Sequence, residues 1–154
     1  MDIVALFRSV LLFRDLSDGE LALVSGISAE KDYSAEEVIF HEGEVGDAFY
    51  AVLEGKVRIS KHVAGVGEEA LAVLEKGSYF GEMALIDEFP RSASAIAHTD
   101  CRLLLMDKAD FNRLLSQNKE LAYKLLWVFC QTLSRRLRET NEKITSLFSI
   151  AKGF

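Results

Sequence analysis

Apolar residues near the N-terminus recur every three or four positions, which is the spacing of one buried face on an α-helix. They are Ile3, Leu6, Phe7, Val10, Leu11 and Phe13. This pattern predicts a helix over residues 3–13. Ser17 then precedes Glu20 by three positions, directly before a second apolar group, as in the capping box that begins a helix. Residues 1–28 are therefore expected to form N-terminal helices.

The pattern changes near Glu30, where short apolar runs separated by glycine replace the helical spacing. The runs cover residues 38–40, 49–53, 57–60, 71–74, 92–97 and 102–106. Short strands at regular intervals, with turn residues between them, are typical of an antiparallel barrel or jelly roll. We therefore predict a β-roll over residues 29–107, which makes the fold class mixed α and β.

Residues 108–154 lack proline and contain one glycine, Gly153, so we expect C-terminal helices there, within one domain overall. Asp107 is predicted to cap a short helix and Asn118 a long one. Both side chains carry an oxygen that accepts a hydrogen bond from a free N–H group at a helix start.

The long helix carries a stripe of mostly apolar residues that repeats in steps of four and three. Its members are Leu126, Cys130, Leu133, Leu137, Thr140, Ile144 and Leu147. This heptad spacing is that of a coiled-coil seam. The stripe has two alternative partners, the chain's own barrel or the same helix in a second copy. A helix of about 30 residues is longer than most globular helices, which favours a homodimer joined through this helix.

Charge and composition narrow the function. The 154 residues suit one domain, and the net charge of −6 argues against general nucleic-acid binding, which usually needs a basic surface. Cys101 and Cys130 lie far apart without metal or redox spacing, so free thiols in a reducing compartment are expected. No apolar run is long enough to span a membrane, and the N-terminus lacks the pattern of a signal peptide. We expect a cytoplasmic protein.

The three histidines give no sign of a metal centre. His41, His62 and His98 are scattered along the chain without ligand spacing. A metal-dependent jelly-roll enzyme or a hydrolytic site is therefore disfavoured, and neither a metal nor a cofactor is expected.

The most informative stretch for function covers residues 80–97. Gly81 and Glu82 precede a short apolar segment that can begin a helix, and Arg91 and Ser92 follow. A helix start directs N–H groups toward an anion, and glycine allows the backbone to approach closely. The Arg91 guanidinium can pair with two phosphate oxygens, and Ser92 adds a hydroxyl group. Glu82 accepts from a ribose hydroxyl and repels further phosphates. The stretch therefore predicts a site for a cyclic nucleotide.

Two segments resemble the phosphate-binding cassette of cyclic-nucleotide-binding domains. They are Gly-Glu-Met-Ala-Leu at residues 81–85 and Pro-Arg-Ser-Ala-Ser at residues 90–94, and the glycine turns at residues 41–47 and 54–57 also match. The resemblance extends over about residues 7–148. It implies a β-roll, a short phosphate-binding helix, flanking helices and a long C-terminal helix that moves when the ligand binds.

The resemblance also implies a role for each matching residue. Gly81 and Glu82 would hold the ribose, and Ala84 would donate its backbone N–H to the phosphate. Arg91 and Ser92 would bind the phosphate oxygens.

Three further positions bear on this resemblance. It implies that residues 71–74 help to wall the pocket. Met83 stands where leucine is usual, which is a tolerated apolar exchange, and Ser94 stands where threonine is usual.

Residues 135–144 are similar to the dimer helix of the bacterial catabolite activator (Crp/Fnr-like) group. In that group a threonine–serine pair contacts adenine, and the serine reaches across the dimer. Thr140 and Asn141 occupy these positions, which implies contacts to the base. The Asn141 amide both donates and accepts, so it suits either purine, and Ser92 retains a contact associated with cGMP. cAMP is favoured over cGMP. Alternatively, Thr140 only sets the register of the seam.

The catabolite activator group continues into a helix-turn-helix domain, whereas this sequence ends at Phe154. We therefore expect no DNA-binding domain in this chain, which is either a fragment or a sensor with a separate effector of unknown identity. The favoured function is a cyclic-nucleotide receptor that is not an enzyme and that signals through its long C-terminal helix. The alternative is a ligand-independent scaffold, or a sensor of another small anion or nucleotide.

Overall fold

The computed structural model describes residues 3–153. Within them the helices are α1 (Ile3–Arg8), α2 (Asp18–Gly26), α3 (Met83–Ile86), α4 (Lys108–Gln117) and α5 (Lys119–Ala151), with a 3-10 turn at Leu11–Phe13. The strands are β1 (Ser28–Tyr33), β2 (Val38–Phe40), β3 (Ala48–Glu54), β4 (Val57–Val63), β5 (Gly67–Leu74), β6 (Tyr79–Phe80), β7 (Ser94–Ala97) and β8 (Cys101–Asp107). They form two antiparallel four-stranded sheets, in the orders β1-β8-β3-β6 and β2-β7-β4-β5. The predicted mixed α and β fold with a β-roll is confirmed.

Two strands of the roll were not predicted. β1 has the sequence Ser-Ala-Glu-Lys-Asp-Tyr, in which only Tyr33 is fully buried, and it pairs with β8 at the edge of its sheet. β6 has two residues, which pair with Tyr50 and Ala51 of β3. A polar edge strand and a two-residue strand both lack the apolar alternation that reveals strands in a sequence.

The predicted single helix over residues 3–13 is wrong in its second half. α1 ends at Arg8, and Val10 has an extended backbone (φ −83°, ψ 125°). The N–H of Leu11 donates to the carbonyl of Gly77 at 2.9 Å instead of continuing the helix. Because Gly77 lies in the turn between β5 and β6, a distant part of the chain ends this helix.

All three predicted helix starts are confirmed, but the predicted side-chain cap forms at only two of them. Ser17 Oγ accepts from the N–H of Glu20 at 3.2 Å, and Glu20 Oε1 accepts from the N–H of Ser17 at 2.9 Å. Asp107 Oδ1 accepts from two N–H groups in the first turn of α4, at 2.9 and 3.2 Å. Asn118 stands at the start of α5, but its side chain makes no capping bond there and instead donates to the carbonyl of Leu114 at 3.0 Å.

Aromatic packing fixes the first half of α5 to the roll. The ring of Phe49 on β3 lies 4.9 Å from that of Phe111 and 6.4 Å from that of Phe129, measured between centroids. A second cluster fills the inside of the roll, where the rings of Tyr50 and Phe80 stack at 5.2 Å. The cassette packs against this interior cluster, since Arg91 lies over the ring of Phe40.

α5 buries one face and exposes another. The buried residues are Leu121, Leu125, Val128, Phe129 and Thr132. In the predicted stripe, Leu133 is half-buried and the others are exposed: Leu126, Cys130, Leu137, Thr140, Ile144 and Leu147. The alternative in which this stripe packs on the chain's own barrel is therefore wrong.

Residues 3–153 contain neither a membrane-spanning helix nor a potential metal site. No helix in that range combines the length and the apolar character needed to cross a bilayer. In the same range, no three side chains of His, Cys, Asp or Glu converge as a potential metal site. Cys101 is buried, Cys130 is exposed, and both are free thiols.

Candidate ligand-binding site

A cavity of about 1050 Å³ lies between the roll, the segments around α3 and the second half of α5. Six of the seven predicted site residues line it, namely Gly81, Glu82, Ala84, Arg91, Ser92 and Thr140. Asn141, the seventh, is exposed on α5 and does not line the cavity. Three residues of the predicted wall at 71–74 also line it, namely Leu71, Ala72 and Leu74. The fold therefore brings the cassette and the long helix to one space.

Glycine allows the cassette to close around Arg91. Gly81 has φ +79°, and a Cβ there would lie 2.7 Å from Nη1 of Arg91. A Cβ on Gly46 would lie 2.4 Å from the Cβ of Ala84 and 3.1 Å from the Arg91 guanidinium. Side chains at these two positions would push Arg91 out of place. The sequence identified Gly81, but the role of Gly46 depends on contacts between distant segments.

Arg91 is held as a buried cation. Its Nη2 donates to the carbonyl of Ala48 at 2.6 Å, and its Nη1 donates to the carbonyl of Gly81 at 3.1 Å. The guanidinium lies 4.1 Å from the ring centroid of Phe40, and the residue is only 7% exposed. Its backbone N–H donates to the carbonyl of Glu44 at 2.8 Å, which ties the β2–β3 loop to the cassette. These contacts fix the orientation of the guanidinium.

No carboxylate pairs directly with the charge of Arg91 in the part of the chain that the structure describes. Among residues 3–153, no carboxylate oxygen lies within 4.0 Å of its guanidinium nitrogens. Burial lowers the pKa of Arg91 from its ordinary value, because desolvation disfavours the charged form. Two carbonyls and one aromatic ring offset only part of the cost of burying this charge, because no carboxylate pairs with it directly. An anion that enters the cavity and contacts Arg91 would therefore recover part of this cost.

Glu82 is the second buried charge of the site, and it is paired. It is 2% exposed, and its Oε1 accepts from Nη1 of Arg136 on α5. Nη2 of Arg136 also donates to the carbonyl of Tyr79 at 3.3 Å. This pair is the direct electrostatic link between the cassette and the long helix.

Arg136 is the site residue that the sequence analysis missed. It precedes Thr140 by one helical turn, so both side chains project from the same face of α5. That spacing is visible in the sequence, but an arginine on an exposed helix is usually solvated. Only the folded chain shows that Arg136 meets Glu82.

Ala84 and Ser92 both line the cavity, but the N–H of Ala84 is already bonded, whereas the hydroxyl of Ser92 has no partner in the part of the chain that the structure describes. The N–H of Ala84 donates to the carbonyl of Gly81 at 3.3 Å, which is a long bond within the turn that begins α3. It must be released or shared before it can donate to a ligand. Ser92 is exposed, and its hydroxyl has no hydrogen-bond partner within residues 3–153.

Two threonines of α5 line the cavity, and their hydroxyl groups differ in their partners. Tyr79 donates its hydroxyl to Oγ1 of Thr132 at 2.5 Å in a buried contact, and burial raises the pKa of this hydroxyl. Further along, Oγ1 of Thr140 donates to the carbonyl of Arg136 at 2.8 Å. This bond leaves the oxygen of Thr140 free to accept from a ligand.

The match to a known family covers the roll and the cassette. Residues 30–118 match the family model of the cyclic nucleotide-binding domain. The chain belongs to this family. It is 37% identical to the cyclic AMP receptor protein of Thermus thermophilus, over 88% of this chain and 61% of the other. It is 34% identical to cGMP-dependent protein kinase 2 of Mus musculus, over 83% of this chain and 17% of the other.

A solved structure supports the same assignment. The crystal structure of the Thermus thermophilus catabolite activator protein matches with a TM-score of 0.76 and 37% identity, over 88% of this chain and 62% of the other. This chain spans about three fifths of the length of the first bacterial relatives that it matches. The fold and the family are thereby shown, and the resemblance noted from the cassette is confirmed.

Proposed function

We propose that this cyclic nucleotide-binding domain is a receptor for a 3′,5′-cyclic mononucleotide, with cAMP favoured over cGMP, and that it acts by binding and not by catalysis. The observation that carries this proposal is Arg91, a buried cation without a counter-ion that is oriented toward a cavity also lined by Glu82. The names of the relatives include both cyclic AMP and cGMP. They support the ligand class but not one base.

The bound ligand is expected to lie along the cassette. Its phosphate contacts Arg91 and Ser92, where a fixed guanidinium and an unpartnered hydroxyl are available. Its ribose donates a hydroxyl to the oxygen of Glu82 that Arg136 leaves free. The base then extends toward Thr140 on α5.

Signalling is proposed to pass through the pair of Glu82 and Arg136. A ribose hydroxyl that donates to Glu82 changes how strongly this carboxylate holds Arg136, and α5 carries Arg136. The ligand then shifts the balance between two positions of α5, because it binds one position more tightly than the other.

The exposed stripe on α5 supports a homodimer. Six exposed residues on one heptad seam match the surface that a parallel partner helix covers. In such a dimer Asn141, which lies outside the chain's own cavity, would reach the base bound by the other copy. A buried arginine that pairs with no carboxylate favours a ligand-binding site over a scaffold that needs no ligand.

Calorimetric titration of the whole chain with cAMP and with cGMP tests the proposed function. We expect saturable binding of at least one of them, with one site per chain, and tighter binding of cAMP. Sizing of the same sample by gel filtration reports the oligomer. Failure of both ligands to bind at concentrations on the order of hundreds of micromolar, which corresponds to the weak end of specific affinity, would favour the scaffold or another anion.

A double-mutant cycle on Glu82 and Arg136 tests the proposed link. Arg136→Gln leaves Glu82 buried without a counter-ion, so we expect the free energy of unfolding to fall. Adding Glu82→Gln should restore stability, with a coupling of about 0.5–3 kcal/mol, the usual range for a contacting pair. The double variant should bind the ligand less tightly than the wild type, because it lacks the Glu82 carboxylate that is expected to accept from the ribose.

Arg138→Gln provides the control for this cycle. It changes an exposed arginine of the same helix that does not line the cavity. Additive effects of the two substitutions, or an equal effect of the control, would contradict the link.

A further inference from the structure

The cavity has the opposite charge balance to the chain. The chain carries a net charge of −6, yet the residues that line the cavity include seven basic and three acidic side chains. The acidic ones are Glu82, Asp87 and Glu139. The proposed cyclic mononucleotide needs one phosphate contact at Arg91, so most of this positive charge lies beyond what that ligand requires.

Much of the excess lies on three elements that line the cavity beside the cassette: the 3-10 turn with the residue that follows it, the turn between β5 and β6, and α5. The N–H of Leu11 donates to the carbonyl of Gly77 at 2.9 Å, which joins the first two segments. The hydroxyl of Tyr79 donates to Thr132 at 2.5 Å, which joins the β6 segment to α5. This part of the cavity is therefore bounded by elements that hydrogen bonds join to one another.

The basic side chains in this part of the cavity differ in whether they already have partners. Arg8 is engaged, because it donates to Asp18 at 2.6 Å and to the carbonyl of Leu16 at 3.0 Å. Lys76, by contrast, has neither an ion pair nor a side-chain hydrogen bond with any residue in the range 3–153. It retains all its donors.

Two arginines in this part of the cavity are only loosely paired. Arg14 approaches the neighbouring Asp15 at 3.9 Å. Arg135 approaches Glu139 at 4.0 Å, one turn along the same helix. Both distances are too long for a hydrogen bond. Together with Lys76, these arginines place three available cations on three different elements that line the same cavity.

We propose that Arg14, Lys76 and Arg135 form a second anion subsite, which takes a second phosphate group. The inference rests on the proposed function, because the first phosphate lies at Arg91. Phosphate oxygens accept hydrogen bonds from several directions, which suits donors on three elements. The group has two sources: the second phosphodiester of a cyclic dinucleotide, or free phosphate bound beside a cyclic mononucleotide. A cavity of about 1050 Å³ is at the upper end of the usual range for small-ligand pockets.

Titrations of the whole chain distinguish the two sources. The probes are cAMP alone, cAMP with inorganic phosphate, and cyclic di-AMP. The guanine analogue of each probe is titrated in the same way. All titrations are done at low and at near-physiological salt. A dinucleotide source predicts that cyclic di-AMP binds about tenfold more tightly than cAMP, the scale of three solvent-exposed ion pairs. The gain should shrink as salt rises. A free-phosphate source predicts instead that phosphate increases the affinity for cAMP.

A triple variant locates the effect. Arg14→Gln with Lys76→Gln and Arg135→Gln should remove the gain, whereas Arg113→Gln should keep it. Arg113 is a matched control, since its side chain is 65% exposed, close to Arg14 at 66% and Arg135 at 60%, and it lies outside the cavity.

Each remaining outcome is decisive. If cAMP binds, but neither phosphate nor the dinucleotide improves on it, the second subsite is wrong and the proposed function stands. If the triple variant weakens cAMP alone as much as the better ligand, the three cations act only as a diffuse field, which also overturns the subsite. If no cyclic nucleotide binds the wild type, the proposed function fails and the subsite falls with it.

Discussion

Arg91→Gln should weaken cyclic-nucleotide binding by about 1.5–3 kcal/mol or more, roughly 10-fold to 150-fold in the dissociation constant, which is the scale of a charged hydrogen bond. The loss is expected to be large because the guanidinium is buried, already oriented by two carbonyls and without a counter-ion. Its charge therefore has no direct carboxylate partner before the ligand arrives. Calorimetry on wild type and variant measures the difference. Arg91→Lys should give a smaller loss, since it keeps the charge but not the fork of donors.

Arg58→Gln is the matched control for this substitution. Arg58 is another poorly exposed arginine of the roll, with a side chain that is 13% exposed, but it lies outside the cavity. It already has two carboxylate partners, Glu36 at 2.9 Å and Glu68 at 2.8 Å. Its removal should lower the free energy of unfolding by about 1 kcal/mol or less and leave ligand affinity unchanged. Equal losses of affinity in the two variants would contradict a phosphate role for Arg91.

The parts of this protein that the sequence predicted are those encoded by neighbouring residues. The capping box of Ser17 and Glu20 spans one helical turn, and so does the cap at Asp107. The cassette is also compact, because Gly81 and Arg91 lie ten positions apart. Such patterns are set by local geometry and are therefore visible before the chain folds.

The parts that the sequence did not predict depend on distant contacts. α1 ends because Leu11 donates to Gly77, a residue far along the chain. Arg136 joins the site because the fold brings α5 against Glu82. Gly46 is needed because Ala84 and Arg91 fill the space where its side chain would be. None of these pairs has a local signature, so each requires the folded structure.

Leu137→Glu should convert the proposed dimer into a monomer. Leu137 lies on the exposed heptad seam and is 62% exposed in the single chain, so the substitution should leave the fold of one copy intact. In a parallel dimer it places two carboxylates against each other and removes two buried leucines. Burial of one leucine contributes about 1.5–3 kcal/mol, so the dissociation constant should rise by about 100-fold or more. Analytical ultracentrifugation across a range of protein concentrations measures it.

Gln131→Glu is the control, because it adds the same charge at an exposed position of α5 that is off the seam. If it dissociates the dimer as much as Leu137→Glu does, or if the wild type is a monomer throughout, the seam is not the interface.

Cys130 provides a test of the direction of the two helices in the proposed dimer. In a parallel, in-register pair each seam residue faces its own copy, within the Cα separation that a disulfide requires. Mild oxidation should therefore cross-link the wild type through Cys130, whereas the buried Cys101 cannot substitute for it. Cross-linking that is lost in Cys130→Ser and absent in Leu137→Glu would place the two ligand cavities on the same parallel pair of helices, with Asn141 of each copy directed toward the other.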